Sequence, residues 1–521
     1  MDESGGTERE DTIALRIFES RVAAICETMG AILRRSAFSP NIRDRLDFSC
    51  ALFGADGRLL GQATHIPVHL GSMAWAMRDL VDRHDWQPGS RLILNDPYAG
   101  GTHLPDVTLI APVFRERDGR ARCCGFVANR AHHADIGSAI PGSMPLSRSL
   151  ADEGVLIEPT WLYRDGSLRE DVLDGICRRM RDPALAEGDF RAQVAASAWG
   201  ERAFDALIDD WGMDGLAEKA AALDAYAARL AEARFADLPN GRWRAEDAMD
   251  CDGAGGAGPV IRVSMTIEDG WIELDFDGTD AAVAGNLNCP LSVTAAAVYY
   301  ALRCLLPAET PACAGAMDRI RLTAPAGCLV NAQAPAATAA GNVETSQRIV
   351  DVVLRALAEV LPDRIPAASQ GTMNNLGLGG ERWSYYETMA GGCGASAVSP
   401  GRHAAHSHMT NTLNTPAEVL ETHYPVRVLR YARRRGSGGT GVHSGGDGLV
   451  RQFQFLAPAR ITLITERREH APWGLAGGGQ GAPGVNDLDG RALPSKVSLD
   501  VETGQVLTVE TPGGGGYGRK A

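Results

Sequence analysis

The sequence lacks the features of secreted, membrane-spanning and nucleic-acid-binding proteins. Its eleven cysteines form no CxxC pair, so neither a disulfide framework nor a thiolate zinc site is expected. The longest apolar run, LSVTAAAVYYALRCLL, is shorter than a membrane span and contains Arg303. Lys and Arg number 51 against 65 Asp and Glu, and the formal net charge of -14 argues against a nucleic-acid or anionic-membrane partner.

Several catalytic signatures are missing as well. There is no GxSxG motif, and no cysteine has a nearby histidine in a pattern typical of a catalytic pair. Catalysis by a nucleophilic side chain therefore has little support. The Gly-rich stretches GSGGTGVHSGG and GLAGGGQGAPG lack GK[ST], and tight turns are expected there instead of an ATP site. The N-terminus MDESGGTERED is acidic where a signal peptide is basic, so a cytoplasmic location is expected.

The patterns that are present indicate an α+β fold: a mixed multi-domain chain with antiparallel β-sheets, packed helices and a β-rich C-terminal region. A chain of 521 residues is too long for a single core. Apolar spacing predicts helices over 13–36, within 171–237, and over 291–306 and 343–360. The expected division is a disordered tail (1–11), an α+β domain with a metal site (12–240), a central α+β domain (241–365) and a Gly-rich, β-rich domain (366–521).

Two histidine–aspartate pairs dominate the first domain. They occur in NDPYAGGTHLPD (residues 95–106) and in NRAHHADIG (residues 129–137). The intervening DVTLIAPVF and ARCCGFVANRAHH resemble strands, and the Asp-Gly dipeptide at 118–119 predicts a tight hairpin turn. Counting back from that turn places Asp106 opposite roughly Ala131. Both pairs should therefore meet at the open end of one hairpin.

Two imidazoles and a carboxylate gathered at one place fit a divalent metal such as Zn²⁺, Mn²⁺ or Fe²⁺. Residues three apart face opposite ways in a straight strand, so Pro105 is expected to bend the chain and turn His103 and Asp106 inward. The hairpin register does not choose between His132 and His133. The alternative is that these side chains have only a packing role, as most isolated HxxD sequences do.

These motifs, together with several others along the chain, resemble the hydantoinase B/5-oxoprolinase family. The similar blocks lie between residue 44 and about residue 478, in one consistent order, and are DRLDFSCALFGADGRLLGQATHIPVHLGSM, NDPYAGGTHLPD, AHHADIGSAIPGSMP, GNVETSQRIVD, GTMNN, HMTNTLNTPAEVLE and ERREHAPWGLAGG. The family includes the B-type component of N-methylhydantoinase, part of 5-oxoprolinase, and the alpha-type subunits of acetone and acetophenone carboxylases. One departure is HADIGS, where Ser138 replaces the family's usual second glycine.

The resemblance implies a division of labour within a hetero-oligomer. A hydantoinase A-type partner would bind ATP and phosphorylate the substrate oxygen, while this chain would carry a divalent metal, manganese or zinc, and no ATP. The positions that match the family's metal-binding motif are His103, Asp106 and His132, so the resemblance implies that these are the ligands. Asp135 is a reserve ligand or an orienting, proton-handling carboxylate, and His133 is an alternative ligand or substrate contact.

Two further motifs carry candidate residues. In GNVETSQR, Glu344 could be a general base or a capping residue of the helix near Val343. In HSHMTNT, His408 is either part of an exposed loop or, like His133, an alternative metal ligand or substrate contact. His65 and His69 in THIPVHL are expected on one face of a strand, where histidines more often serve as packed core residues.

The resulting functional expectation is a hydrolase subunit that opens a cyclic amide, such as a hydantoin, a lactam or an oxoproline-like ring, after ATP-dependent activation by the partner. One alternative is the alpha-type subunit of an ATP-dependent ketone carboxylase. A second alternative is a non-catalytic structural subunit whose histidines and aspartates merely pack.

Overall fold

A computed structural model describes residues 3–63 and 65–520, with no side-chain description for residues 3–11. Residues 1 and 2 of the expected tail lie outside this range, and the tail and the domain limits stay predictions. Among the described residues, none of the helices combines the length and hydropathy that a membrane span needs.

The described residues confirm the α+β class. The α-helices are α1 (Glu3–Ser36), α2 (Pro40–Arg43), α3 (Pro67–Arg83), α4 (Glu170–Cys177), α5 (Pro183–Ala236), α6 (Leu291–Arg303), α7 (Ser346–Val360) and α8 (Ala417–His423). The strands are β1 (Phe48–Gly54), β2 (Leu59–Gln62), β3 (Arg91–Leu94), β4 (Asp106–Arg117), β5 (Arg120–His132), β6 (Thr160–Arg164), β7 (Ser167–Leu168), β8 (Gly241–Ala248), β9 (Val260–Glu268), β10 (Trp271–Asp275), β11 (Ile320–Thr323), β12 (Asn375–Gly379), β13 (Ser384–Glu387), β14 (Val426–Arg434), β15 (Gly448–Phe455), β16 (Ala459–Ile464), β17 (Val485–Leu488), β18 (Arg491–Leu493), β19 (Lys496–Val501) and β20 (Val506–Glu510).

A seven-stranded antiparallel sheet, in the order β2-β1-β5-β4-β3-β6-β7, carries the two histidine–aspartate motifs. Both faces of this sheet are buried. Cys50 and Leu52 of β1 join the core formed with α1 and α5, while Ala51 and Phe53 face α3 on the other side. This two-sided burial encloses the end of the β4–β5 hairpin inside the protein.

Three smaller sheets complete the fold. One has the order β11-β10-β9-β8 and packs against α7, and its β9–β10 turn lies at Asp269–Gly270. The other two, β13-β12-β16-β19 and β14-β15-β20-β17-β18, face each other across a shared apolar core in the C-terminal part of the chain. The β-rich C-terminal region is therefore confirmed.

The Gly-rich stretches differ from the tight turns expected of them. Most of their glycines lie in backbone segments that run side by side and exchange N–H···O=C bonds, such as those from Gly439 to Gly514 and from Gly514 to Gly446. A Cβ on Gly445 would lie 1.9 Å from the carbonyl oxygen of Gly514, and one on Gly514 would lie 2.0 Å from that of Cys393. Close approach of backbones, more than turn geometry, requires glycine here.

Candidate metal centre

Asp106 begins β4 and His132 ends β5, and the two residues are direct cross-strand partners. The predicted turn is present, since Asp118 and Gly119 adopt φ angles of 54° and 71°. Counting back from that turn would pair Asp106 with Ala131, as expected. However, β5 contains one extra, unpaired residue at Cys124, and this bulge advances the pairing by one position.

His103 reaches the same place through a turn that precedes β4. The backbone N–H of Asp106 donates to the carbonyl oxygen of His103 at 3.1 Å, so residues 103–106 are not extended. The bend expected at Pro105 is thus present, and both side chains point to one side. His103 Nε2 lies 3.1 Å, and His132 Nδ1 3.0 Å, from Asp106 Oδ1.

The second oxygen of Asp106 is held by three side chains from separate segments. Oδ2 accepts from Thr102 Oγ1 at 2.7 Å and from Asn342 Nδ2 at 3.1 Å, and His69 Nε2 lies 3.1 Å away. Sequence reasoning missed these residues as members of the site. His69 was expected on a strand, but β2 ends at Gln62 and His69 lies in the first turn of α3, which turns it towards Asp106.

All three predicted ligands are buried, and each of them affects the pKa of at least one other. Burial opposes a charge on Asp106, yet His103 and His69 hold the pKa of this carboxyl well below its usual range. Burial also lowers the pKa of His103, but Asp106 outweighs burial, and the net pKa is raised. Burial lowers the pKa of His132 despite its contact with Asp106, so His132 favours the neutral form that a metal requires.

The side chains fit a divalent metal. One ligand atom from each of His103, Asp106 and His132 lies within 4.8 Å of the others. His132 Nε2 is buried without a hydrogen-bond partner among the described residues, and the only polar side-chain contact of His103 Nε2 among them is with Asp106 Oδ1. Buried polar atoms are normally satisfied, so an unpartnered imidazole nitrogen beside a second imidazole and a carboxylate fits a site for an electron-pair acceptor such as a metal ion. Two imidazoles and one carboxylate form a common set for zinc, manganese or iron.

A narrow cavity of about 20 Å³ adjoins this cluster, which is room for about one water molecule. His132, His69 and Asn342 contribute to its wall, and Tyr386 forms another side. The Tyr386 ring stacks on the His132 ring with centroids 4.7 Å apart and an interplanar angle of 16°. This stacking fixes the plane of His132 beside the cavity.

Glu344 is linked to Tyr386 through hydrogen bonds of Asn375, and its side chain does not cap a helix. It belongs to a π-helical turn at Gly341–Thr345, and its Oε1 accepts from Asn375 Nδ2 at 2.6 Å, while Tyr386 Oη donates to Asn375 Oδ1 at 2.6 Å. Its Oε2 is buried without a hydrogen-bond partner in the described chain. Burial, and then the nearby Glu466, raise the pKa of Glu344 to about 8.

The charges around Glu344 agree with a neutral carboxylic acid. Among the described residues around Glu344 are four cationic and four other acidic side chains: Arg348, Arg467, Arg468 and Lys496, and Asp247, Asp250, Asp351 and Glu466. Lys496 and Arg468 lower the pKa of Glu344, but burial and Glu466 outweigh them. These eight groups already balance. An ionised Glu344 would add an uncompensated buried charge, which is costly.

Three other predicted residues lie outside the contacts of the cluster. The Asp135 carboxylate accepts the backbone N–H groups of Gly137 and Arg181. His133 Nε2 contacts Gln193 Oε1 at 3.0 Å, and its ring stacks on Phe190. His408 is buried instead of lying in an exposed loop, and its Nε2 is 3.8 Å from Asp351. Their catalytic or ligand roles stay predictions.

The chain matches the family model described as Hydantoinase B/oxoprolinase over residues 11–520. It is 39% identical to 5-oxoprolinase 1 of Arabidopsis thaliana, in an alignment that covers 98% of this chain but only 42% of that protein. It is 30% identical to the putative B-type component of a D-/L-hydantoinase from a Pseudomonas species, over 98% of this chain and 90% of that protein.

Two solved structures share the fold. The crystal structure of an ATP-dependent caprolactamase from Pseudomonas jessenii has a TM-score of 0.90 and 26% identity, over 98% of this chain and 91% of that chain. A nucleotide-free acetone carboxylase has a TM-score of 0.86 over 100% of this chain and 78% of that chain. Its 19% identity supports a likeness of fold alone.

Proposed function

The chain belongs to the hydantoinase B/oxoprolinase family, and we propose that it is the metal-binding B-type subunit of an ATP-dependent hydrolase that opens a cyclic amide. The observation that carries this proposal is the buried cluster of His103, Asp106 and His132, in which His132 Nε2 has no hydrogen-bond partner among the described residues. The similarity to 5-oxoprolinase and to the B-type component of a hydantoinase supports a cyclic-amide substrate such as a hydantoin, a lactam or oxoproline.

The relatives differ in how much of their length this chain matches. This chain corresponds to 42% of a 5-oxoprolinase. It corresponds to 90% of a protein named as the B-type component of a hydantoinase. We therefore assign ATP binding to an A-type partner and the metal to this chain.

The proposed division of labour follows from the chemistry of amides. Resonance stabilises the C–N bond of a cyclic amide, and transfer of a phosphoryl group to the amide oxygen by the partner makes the ring carbon more electrophilic. A divalent cation held by His103, Asp106 and His132 would supply Lewis-acid chemistry that makes water a better nucleophile towards that carbon. One water would add to the carbon as the ring C–N bond breaks, and a second water would hydrolyse the resulting acyl phosphate to a carboxylate and phosphate.

The chain's own residues would prepare this step in three ways. His69, Thr102 and Asn342 fix the Asp106 carboxylate, and Tyr386 fixes the plane of the His132 ring. The narrow cavity excludes bulk water. Glu344, whose neutral form is favoured by burial, would supply a proton to the leaving nitrogen. Its Oε1 accepts from Asn375 Nδ2, and Asn375 Oδ1 accepts from Tyr386 Oη, so these hydrogen bonds position Tyr386 and do not carry a proton from Glu344.

The test is co-expression with an A-type partner, followed by an assay for ATP-dependent opening of 5-oxoproline, hydantoin and caprolactam. We expect His103→Ala to abolish ring opening while the partner's phosphorylation step survives. His423→Asn, at an exposed histidine of α8, is the matched control and should retain turnover. Retained ring opening in His103→Ala would overturn the assignment, and bicarbonate fixation into a ketone without ring opening would favour the carboxylase alternative.

A further inference from the structure

Glu153 is a fully buried carboxylate that holds a backbone turn beside the candidate metal centre. Its Oε1 accepts the backbone N–H groups of Thr338 and Ala339, each at 2.8 Å, and the hydroxyl of Ser147 at 2.7 Å. Among the described residues, no Lys, Arg or His forms an ion pair with it. Thr338 Oγ1 also donates to its Oε2 at 3.3 Å. Three of its four hydrogen bonds therefore come from one segment, Thr338–Ala339, and two of these come from backbone N–H groups.

That segment touches two of the three ligands. The carbonyl oxygen of Ala339 accepts from His103 Nδ1 at 3.2 Å. Three residues later, Asn342 donates to Asp106 Oδ2 at 3.1 Å. Hence the same short stretch, whose first two N–H groups bond to Glu153, contacts both His103 and Asp106.

The contact at Ala339 selects one nitrogen of His103. Only a protonated Nδ1 can donate to a carbonyl oxygen, so a neutral His103 ring keeps its lone pair on Nε2. This Nε2 is buried and lies 3.1 Å from Asp106 Oδ1. Partners of this kind commonly set the tautomer and the orientation of metal-binding histidines.

We propose that Glu153 is a positioning residue of the metal centre, which acts through the Thr338–Ala339 backbone to hold His103 with Nε2 towards the ion. This inference rests on the proposed metal site. It goes beyond that site because Glu153 contacts neither the ligands nor the cavity. The competing role is purely structural: Glu153 would only satisfy buried N–H groups, with no effect on metal binding.

Three variants of Glu153 test the proposal, because they change the length of the side chain and its negative charge independently. Glu153→Gln keeps an acceptor oxygen at the same distance, whereas Glu153→Asp keeps the charge but withdraws the oxygens, and Glu153→Ala removes them. The control is Asp189→Asn, because Asp189 is likewise buried and accepts the N–H groups of Phe38 and Ser39 at 2.7 and 3.1 Å. Each purified protein is titrated with Mn²⁺ and Zn²⁺, loaded with Co²⁺ for its visible spectrum, and unfolded thermally.

We expect Glu153→Ala and Glu153→Asp to weaken metal binding by roughly 10- to 100-fold and to alter the Co²⁺ spectrum, the range typical of a lost outer partner. Glu153→Gln should stay closer to the wild type, and Asp189→Asn should lower Tm without changing affinity or spectrum. If Glu153→Ala does not fold, the metal affinities and Co²⁺ spectra of Glu153→Asp and Glu153→Gln are compared to test the proposal.

Wild-type affinity and spectrum in Glu153→Asp would overturn the inference and leave the proposed metal site intact. A wild-type protein that binds no divalent ion would overturn both.

Discussion

Asp106 and His132 face each other across the open end of the β4–β5 hairpin because β5 carries one unpaired residue, Cys124. Without that residue the turn geometry would pair Asp106 with Ala131. A shift of one residue moves a side chain to the opposite face of a sheet. The bulge therefore selects His132 and leaves His133 against Gln193 and Phe190.

Loss of a hydrogen bond to Asp106 should weaken metal binding by a measurable amount. Thr102→Val removes the 2.7 Å bond to Oδ2 with little change in volume. We expect Mn²⁺ or Zn²⁺ affinity to fall by about tenfold, the lower end of the effect of a lost outer partner. Isothermal titration at fixed pH measures it.

Thr108→Val is the matched control for Thr102→Val. Thr108 Oγ1 accepts from the buried Arg130 Nε at 2.7 Å, so this variant should lower Tm and leave metal affinity unchanged. Equal effects of the two variants on affinity would argue against a specific role for Thr102.

Glu344 should make stability depend on pH above the ordinary range of a carboxyl group. Its pKa is about 8 in the folded chain against an ordinary value of 4.5, so the folded state holds a proton that the unfolded state releases between these values. Stability from this group is thus greatest below pH 4.5 and is lost as pH rises to about 8. Glu344→Gln cannot ionise and removes this contribution.

The measurement is urea unfolding at pH 6 and pH 8 on the wild type and Glu344→Gln. The wild type should lose more free energy of unfolding than the variant over this interval. Equal losses would show that Glu344 is ionised in the folded chain already at pH 6.

The packed glycine segments should not tolerate a methyl group. In Gly514→Ala, the new Cβ would meet the carbonyl oxygen of Cys393 at 2.0 Å, and neighbouring backbone segments would have to separate. We expect the free energy of unfolding to fall by about 1–3 kcal/mol or more, as for other overpacked sites. Denaturant unfolding measures the loss.

Gly175 offers the control for this substitution. It lies on the exposed side of α4 with nothing within 4 Å of an added Cβ. Gly175→Ala should be neutral or stabilise the protein by roughly 0.5–1 kcal/mol, because alanine loses less conformational freedom in a helix. A similar loss in both variants would contradict the packing explanation.

The parts of the site that the sequence predicted are those set by local rules. The Asp-Gly turn, the strand patterns on both sides and the bend at Pro105 were sufficient to bring His103 and Asp106 to one end of a hairpin. The exact register was not predictable, because nothing in ARCCGFVANRAHH marks Cys124 as a bulge. Selection of His132 therefore required the family resemblance or the structure.

Contributions from distant segments could not be predicted from local patterns. Asn342 reaches Asp106 from 236 residues away along the chain, and Tyr386 stacks on His132 from another sheet. His69 was missed for a different reason. The apolar alternation of LLGQATHIPVHL continued past Gln62, whereas Pro67 starts a helix there.

The most direct test is the metal content of three proteins purified without chelators: the wild type, His132→Ala and His133→Ala. The two histidines are adjacent in sequence, but only His132 faces Asp106. We expect close to one divalent ion per chain in the wild type and in His133→Ala, and far less than one in His132→Ala, by elemental analysis with folding checked by circular dichroism. A folded wild type without metal, or a folded His132→Ala that keeps a full equivalent, would contradict the account.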